Sequence, residues 1–141
     1  MRSCRPSSQL TGLNNGSTLA WRGFGADLAG EDYCYLTTTG RVSGEPREIE
    51  IWFGLVGTTL YMLSGGGRRS NWVRNLLSEP AVTVRIGELT RPGHARVVES
   101  PEEDEHARRL LFDKYSTRYG GDLDDWRRTA LPIAVDFGPT G

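Results

Sequence analysis

Residues 47–53 alternate without a break: Ile49, Ile51 and Phe53 fall on one face, Glu48, Glu50 and Trp52 on the other. A period of two is the signature of a strand with one face in a core. Residues 81–86 repeat it, with Val82, Val84 and Ile86 facing one way. Residues 33–39 are β-branched and aromatic and stop at Gly40. Residues 58–63 return as a strand after a turn at 54–57. Residues 90–99 follow the turn signal Gly87–Glu88 and bend near Pro92–Gly93, and residues 131–137 form the last strand. Such short strands, with no long crossover and no repeat, cannot build a doubly wound parallel sheet. They predict a mainly β fold, a six-stranded antiparallel barrel with a few helices.

Three helices are expected between the strands. Ser70 is placed to cap one through Leu77, with Trp72, Val73, Leu76 and Leu77 apolar and Pro80 ending it. Residues 101–115 are the clearest. Pro101 opens the first turn, Glu102, Glu103, Asp104 and Glu105 suit the positive end, and Ala107, Leu110, Leu111 and Tyr115 make the apolar stripe. Residues 122–128 form a short third helix around Trp126. Residues 1–30 have neither period and read as a flexible N-terminal extension, in which Trp21 and Phe24 are the residues able to pack on the domain. Residues 31–138 are the domain.

Composition narrows the function. The formal net charge is −1 over 141 residues, too little positive charge for a general nucleic-acid binder. Cys4 and Cys34 are the only cysteines, and His94 and His106 the only histidines. None of them has metal-ligand spacing, so no metal is expected. No apolar run has the length of a membrane span, and residues 1–30 hold no signal-type apolar core, so the cytoplasm is the expected location. The acidic start of the second helix serves its dipole and solubility. No nucleophile–base pair is visible, so no catalytic side chain is assigned. A reaction on this chain would draw its chemistry from an organic cofactor.

Two segments offer a place for such a cofactor. LTTTGRVSGEPR, residues 36–47, is a hairpin whose turn carries Arg41, Ser43, Gly44 and Arg47. LSGGGRRSNWVRNL, residues 63–76, runs from Ser64 through Gly65, Gly66, Gly67, Arg68 and Arg69 into a helix start. Free backbone N–H groups, small residues and guanidinium forks are what a bound anion requires. Glycine-rich connectors and exposed hairpin arginines also occur with no ligand. The loop is neither a P-loop, since no Gly-Lys-Ser/Thr follows, nor a dinucleotide fingerprint, since no βαβ unit surrounds it.

These two segments, with SEPAVTVRIG after the second and a terminal TALPIAVDF, resemble the deazaflavin-dependent nitroreductase family, also called the F420-dependent quinone reductase family. The resemblance covers residues 32–137. It implies a split β-barrel of the flavin-reductase and pyridoxamine-phosphate-oxidase (FMN-binding) type. It implies hydride transfer from the reduced deazaflavin F420 to quinones, nitro compounds or other electron-poor small molecules. Carried over by position, Arg41, Ser43, Gly44 and Arg47 would hold the phosphate and acidic tail. Ser64 to Arg69, with Trp72 and Asn75, would border the phosphate linker and the ring. Val42 stands where many members have a basic residue, and Gly65 where many have a lysine. Two alternatives stay open: FMN in the same groove, or a carrier or sensor that binds a cofactor, haem or lipid without turnover. Barrels of this type often form homodimers across the cofactor face.

Overall fold

The structure is a computed structural model that describes Leu28, residues 30–119 and residues 123–137. The expected extension 1–30, with Trp21 and Phe24, lies outside the described residues apart from Leu28 and Gly30. Seven strands form one antiparallel sheet: β1 (Cys34–Thr39), β2 (Pro46–Ile51), β3 (Gly54–Val56), β4 (Thr59–Ser64), β5 (Ala81–Ile86), β6 (Leu89–Val97) and β7 (Leu131–Asp136), in the order β2-β1-β5-β6-β7-β4-β3. The helices are α1 (Asn71–Ser78), α2 (Pro101–Tyr119) and α3 (Asp124–Thr129), with a 3-10 turn at Gly67–Arg69 ahead of α1.

The sheet curls because its two edges are consecutive in the chain. Ile51 pairs with Cys34 at one edge, and Gly54 pairs with Tyr61 at the other. Only Trp52 and Phe53 separate them. The expected six strands thus become seven, and residues 54–56, expected as a turn, belong to β3. The reason lies in α2. Phe53 N–H donates to Tyr115 Oη at 3.0 Å, and Phe53 C=O accepts from Lys114 Nζ at 2.9 Å. A buried backbone pair must be satisfied, and here helix side chains meet the demand that a neighbouring strand would otherwise meet. The strand bends at that point. Tyr115 Oη also donates to Asp32 C=O at 2.7 Å, and its ring stacks on Trp52 at 4.2 Å and 2°. The Lys114 ammonium sits 3.7 Å from the Phe53 ring centre. Burial, then the nearby Arg118, lowers its pKa to about 8.

Two apolar layers follow from strand alternation. Leu36, Phe53, Leu60, Met62, Val84, Ile86, Ile133 and Val135 fill the barrel, and α1 closes it with Val73 and Leu76. Tyr61, Leu63 and Ala134 point the other way, under Ala107, Leu111 and Tyr115 of α2. Trp126 of α3 meets Trp52 edge-on at 5.4 Å. The α2 stripe is therefore as expected, although the helix runs on to Tyr119. Leu77 is exposed, not on the apolar face. Asn75 takes the buried place instead.

One ion cluster ties β4, β6, β7 and α2 together. Arg96 gives Glu103 two hydrogen bonds, at 2.9 and 2.8 Å, and meets Asp136 through Nε at 2.6 Å. Tyr61 donates to Glu103 at 2.6 Å and Thr59 to Asp136 at 3.0 Å. Arg96, then Tyr61, holds the Glu103 pKa at about 2, below its ordinary 4.5, and Arg96 also lowers that of Asp136. A carboxylate with a depressed folded pKa contributes stability above its unfolded pKa, and that stability is lost as pH falls through the folded value. Thermal midpoints measured from pH 5 down to 2, the window set by Glu103, are expected to fall steadily. Glu103→Gln is expected to be less stable at neutral pH and to show a flatter acid limb. An unchanged acid limb would remove the cluster from this role.

Candidate functional site

The hairpin between β1 and β2 is set by its own backbone. Gly40 N–H donates to Glu45 C=O at 2.7 Å, and Gly44 N–H to Gly40 C=O at 2.8 Å. Gly44 has φ +77°, a left-handed conformation that favours glycine. Ser43 Oγ accepts from Glu45 N–H at 3.2 Å and from Arg47 Nη2 at 3.4 Å. Val42 at the tip is 93% exposed.

Helix α1 lies beside this turn, and two asparagines one helical turn apart grip it. Asn75 is buried. Its Oδ1 accepts from Arg41 N–H at 3.2 Å and from Arg41 Nη1 at 2.8 Å, and its Nδ2 donates to Thr38 Oγ1 at 3.2 Å. Asn71 accepts from the same guanidinium at Oδ1, 3.2 Å, and at its C=O, 3.4 Å. Between turn and helix is an open groove of about 400 Å³. Ile49 and Trp72 give it apolar surface, and Gly40, Arg41, Val42, Ser43, Arg47, Asn71 and Asn75 complete its lining.

Of the residues expected to bind a cofactor, Arg41, Ser43, Arg47, Trp72 and Asn75 come together in this groove. Gly44 shapes the turn without lining it. Ser64, Gly65, Gly66, Gly67, Arg68 and Arg69 do not line it either. They form the connection at the start of α1. There Ser64 Oγ donates to Gly67 C=O at 3.0 Å and shares a hydrogen bond with Ser70 Oγ at 2.9 Å. Ser70 is the N-cap residue, but its side chain makes no capping bond. Gly40, Val42, Ile49 and Asn71 also line the groove, and the sequence assigns none of them a binding role. For Asn71 a signal existed: it precedes Asn75 by four residues, which places both on one helix face.

The charge pattern is uneven. Arg96, Arg108, Arg109, Arg118, Arg127 and Arg128 all pair with carboxylates. Among the described residues, Arg41, Arg47, Arg68, Arg69 and Arg74 pair with none. The arginines around the hairpin and α1 thus make no ion pair among the described residues, although Glu45 and Glu48 lie on the same hairpin, and Arg41 and Arg47 stand beside an apolar surface. Such a groove can take a flat apolar body with an anionic extension. Among the described residues no group of histidine, cysteine and acidic side chains is placed to hold a metal, and no helix is long and apolar enough to cross a membrane.

Solved structures share this architecture. An F420-H2 dependent reductase matches with a TM-score of 0.61 and 24% identity, over 75% of this chain and 95% of the other. The heme storage protein HutZ of Vibrio cholerae matches at 0.61 and 17%, over 82% and 87%. An FAD-binding protein of Mesorhizobium loti matches at 0.56 and 14%, over 79% and 84%. At these identities the likeness is one of fold, the split β-barrel of FMN-binding and pyridoxamine-phosphate-oxidase-like proteins. Comparison with curated protein sequences gave no significant match. The family model described as F420H(2)-dependent quinone reductase matches residues 17–137. The chain therefore belongs to the F420H(2)-dependent quinone reductase family.

Proposed function

We propose that this chain is an F420-dependent oxidoreductase that passes a hydride from the reduced deazaflavin to an electron-poor small molecule, a quinone or a nitro compound. The observation that carries the reading is the groove, where the guanidinium groups of Arg41 and Arg47, paired with no carboxylate among the described residues, stand beside Trp72 and Ile49. An anionic tail suits the first and a flat ring the second. When bound, the deazaflavin supplies the hydride; no side chain has to. Arg47 and Ser43 would hold the phosphate and acidic tail, within the hairpin held by Gly44. Trp72 would border the ring, and the loop Ser64 to Arg69 would lie toward the linker. The protein's part is to bind, orient and exclude water. Proton delivery to the product would fall to solvent or to a nearby tyrosine. Two copies pairing across the groove face belong to the same reading, and light scattering on the holoprotein would test it.

Titration with F420 and with FMN under one condition, followed by anaerobic mixing of the reduced complex with a quinone or nitro acceptor, tests the proposal. Tight F420 binding with oxidation supports it. A yellow FMN complex without F420 binding would move the assignment to FMN, and binding without oxidation would make the protein a carrier. Arg47 is exposed and the one described hydrogen bond of its side chain is the long one to Ser43. Arg47→Ala is therefore expected to weaken F420 binding by about 1–3 kcal/mol, the scale of a lost charge-assisted contact, with little change in melting temperature. Equal affinity in wild type and variant would take Arg47 out of the site.

A further inference from the structure

Arg41 and Arg47 share the groove but not the same surroundings. The Arg47 side chain has one long hydrogen bond among the described residues, to Ser43. The Arg41 guanidinium is held by three acceptors, Asn75 Oδ1, Asn71 Oδ1 and Asn71 C=O. All three are neutral. A carboxylate at either position would fix the guanidinium as well and would also cancel its charge. An amide fixes it and leaves the charge in the groove. Asn75 is in turn aimed by Thr38, through the bond from its Nδ2. Its Oδ1 also accepts from the Arg41 backbone N–H, which fixes the start of the turn that carries Ser43 and Arg47.

We infer that Asn71 and Asn75 are positioning residues: they orient Arg41 and the hairpin against α1 through neutral acceptors, so that the full positive charge of Arg41 is kept for an anionic ligand. This inference rests on the reading of the groove as the site of the deazaflavin's acidic tail. It assigns the asparagines to the geometry and charge of the site, where a role as ligand contacts would be the simpler expectation.

The substitution that separates charge from geometry is Asn71→Asp. Asn71 is exposed and opens α1, where a carboxylate also favours the helix dipole. The variant is expected to melt at the same or a higher temperature than wild type, and Arg41→Gln in the same background is expected to remove the part of any gain that the new ion pair supplies, the helix-dipole part remaining. Its affinity for F420, read by fluorescence titration, is expected to fall about tenfold, the factor for one charge-assisted contact. The dependence of affinity on sodium chloride is expected to become shallower, because one fewer net positive charge faces the ligand. Asn75→Ala keeps the charge and loses the anchor, so it is expected to weaken binding with the salt dependence retained. If Asn71→Asp binds F420 as tightly as wild type, or with an unchanged salt slope, the inference fails. If wild type does not bind F420, the cofactor assignment fails. The titrations are then run with inorganic pyrophosphate, where the same ordering is expected and equal or absent binding overturns the inference too.

Discussion

Tyr115→Ala is expected to lower folding stability by roughly 3–5 kcal/mol, the range for emptying a buried aromatic site. A domain of this size has about 5–15 kcal/mol in total, so much of the fold's margin would go. The effect should exceed that of an ordinary core truncation, because Tyr115 does two things. Its ring fills the space between Trp52 and α2 and is fully buried. Its hydroxyl takes the Phe53 N–H and reaches Asp32 C=O, where the strand leaves one sheet edge for the other. Tyr115→Phe isolates the second role. It keeps the ring and orphans a buried N–H, at a cost of about 1–3 kcal/mol. Urea denaturation of both variants checks this. A Phe variant as stable as wild type would show that the bend does not depend on that hydrogen bond.

Gly66→Val is expected to depress turnover even at saturating cofactor, and to cost stability of about 1–3 kcal/mol, as overpacking does. The sequence alone motivates it by a ligand lying close to the backbone of the glycine loop. The structure supplies a reason within the chain. A Cβ at Gly66 would run into Ser70 Oγ, which is bound to Ser64 Oγ at 2.9 Å. Gly66 itself has φ −85°, which any residue adopts, so the obstacle is the serine and not the backbone. Gly67 differs: at φ +62° its requirement is conformational. Gly65 differs again, since a Cβ there would meet nothing within 4 Å. The three glycines can therefore be told apart. Gly66→Ala should be partly rescued by Ser70→Ala. Gly65→Ala should fold normally, and any loss of F420 affinity in it would report a ligand near that backbone. Full activity in Gly66→Val, in kinetics with cofactor and acceptor both varied, would reduce the loop to a connector.

The strands were legible because each has a face in the barrel. Ile49, Ile51, Val82, Val84 and Ile86 announce it by alternation. The split at Trp52–Phe53 was not legible, because it depends on Lys114 and Tyr115, some sixty residues away in the chain. In the sequence Gly54 reads as a turn, whereas in the fold it lets Leu110 of α2 approach: a Cβ there would lie 2.6 Å from Leu110 Cδ2. Leu77 was misplaced for a related reason. Hydropathy ranks it above Asn75, but a hydrogen-bonded amide can occupy the buried position when Arg41 and Thr38 both supply partners. At the groove, hairpin chemistry pointed to Arg41, Ser43 and Arg47. The partner that gives Arg41 its orientation, Asn71, required knowing that α1 lies against the turn.

The bend at Trp52–Phe53 also links two properties that are normally measured separately. The strand that carries Ile49 and Arg47 along the groove is the strand whose far end is fastened by α2. At about 3.3 Å per residue, Arg47 lies roughly 13 Å along β2 from Ile51, next to the bend. Because β2 is paired with β1 along its whole length, from Ile51 to Pro46, a shift at the bend is carried along the pair to the hairpin. Substitutions at Tyr115 or Lys114, which do not line the groove, should therefore weaken ligand capture as well as stability. Variation that looks like drift in the second helix would act as tuning of the groove wall.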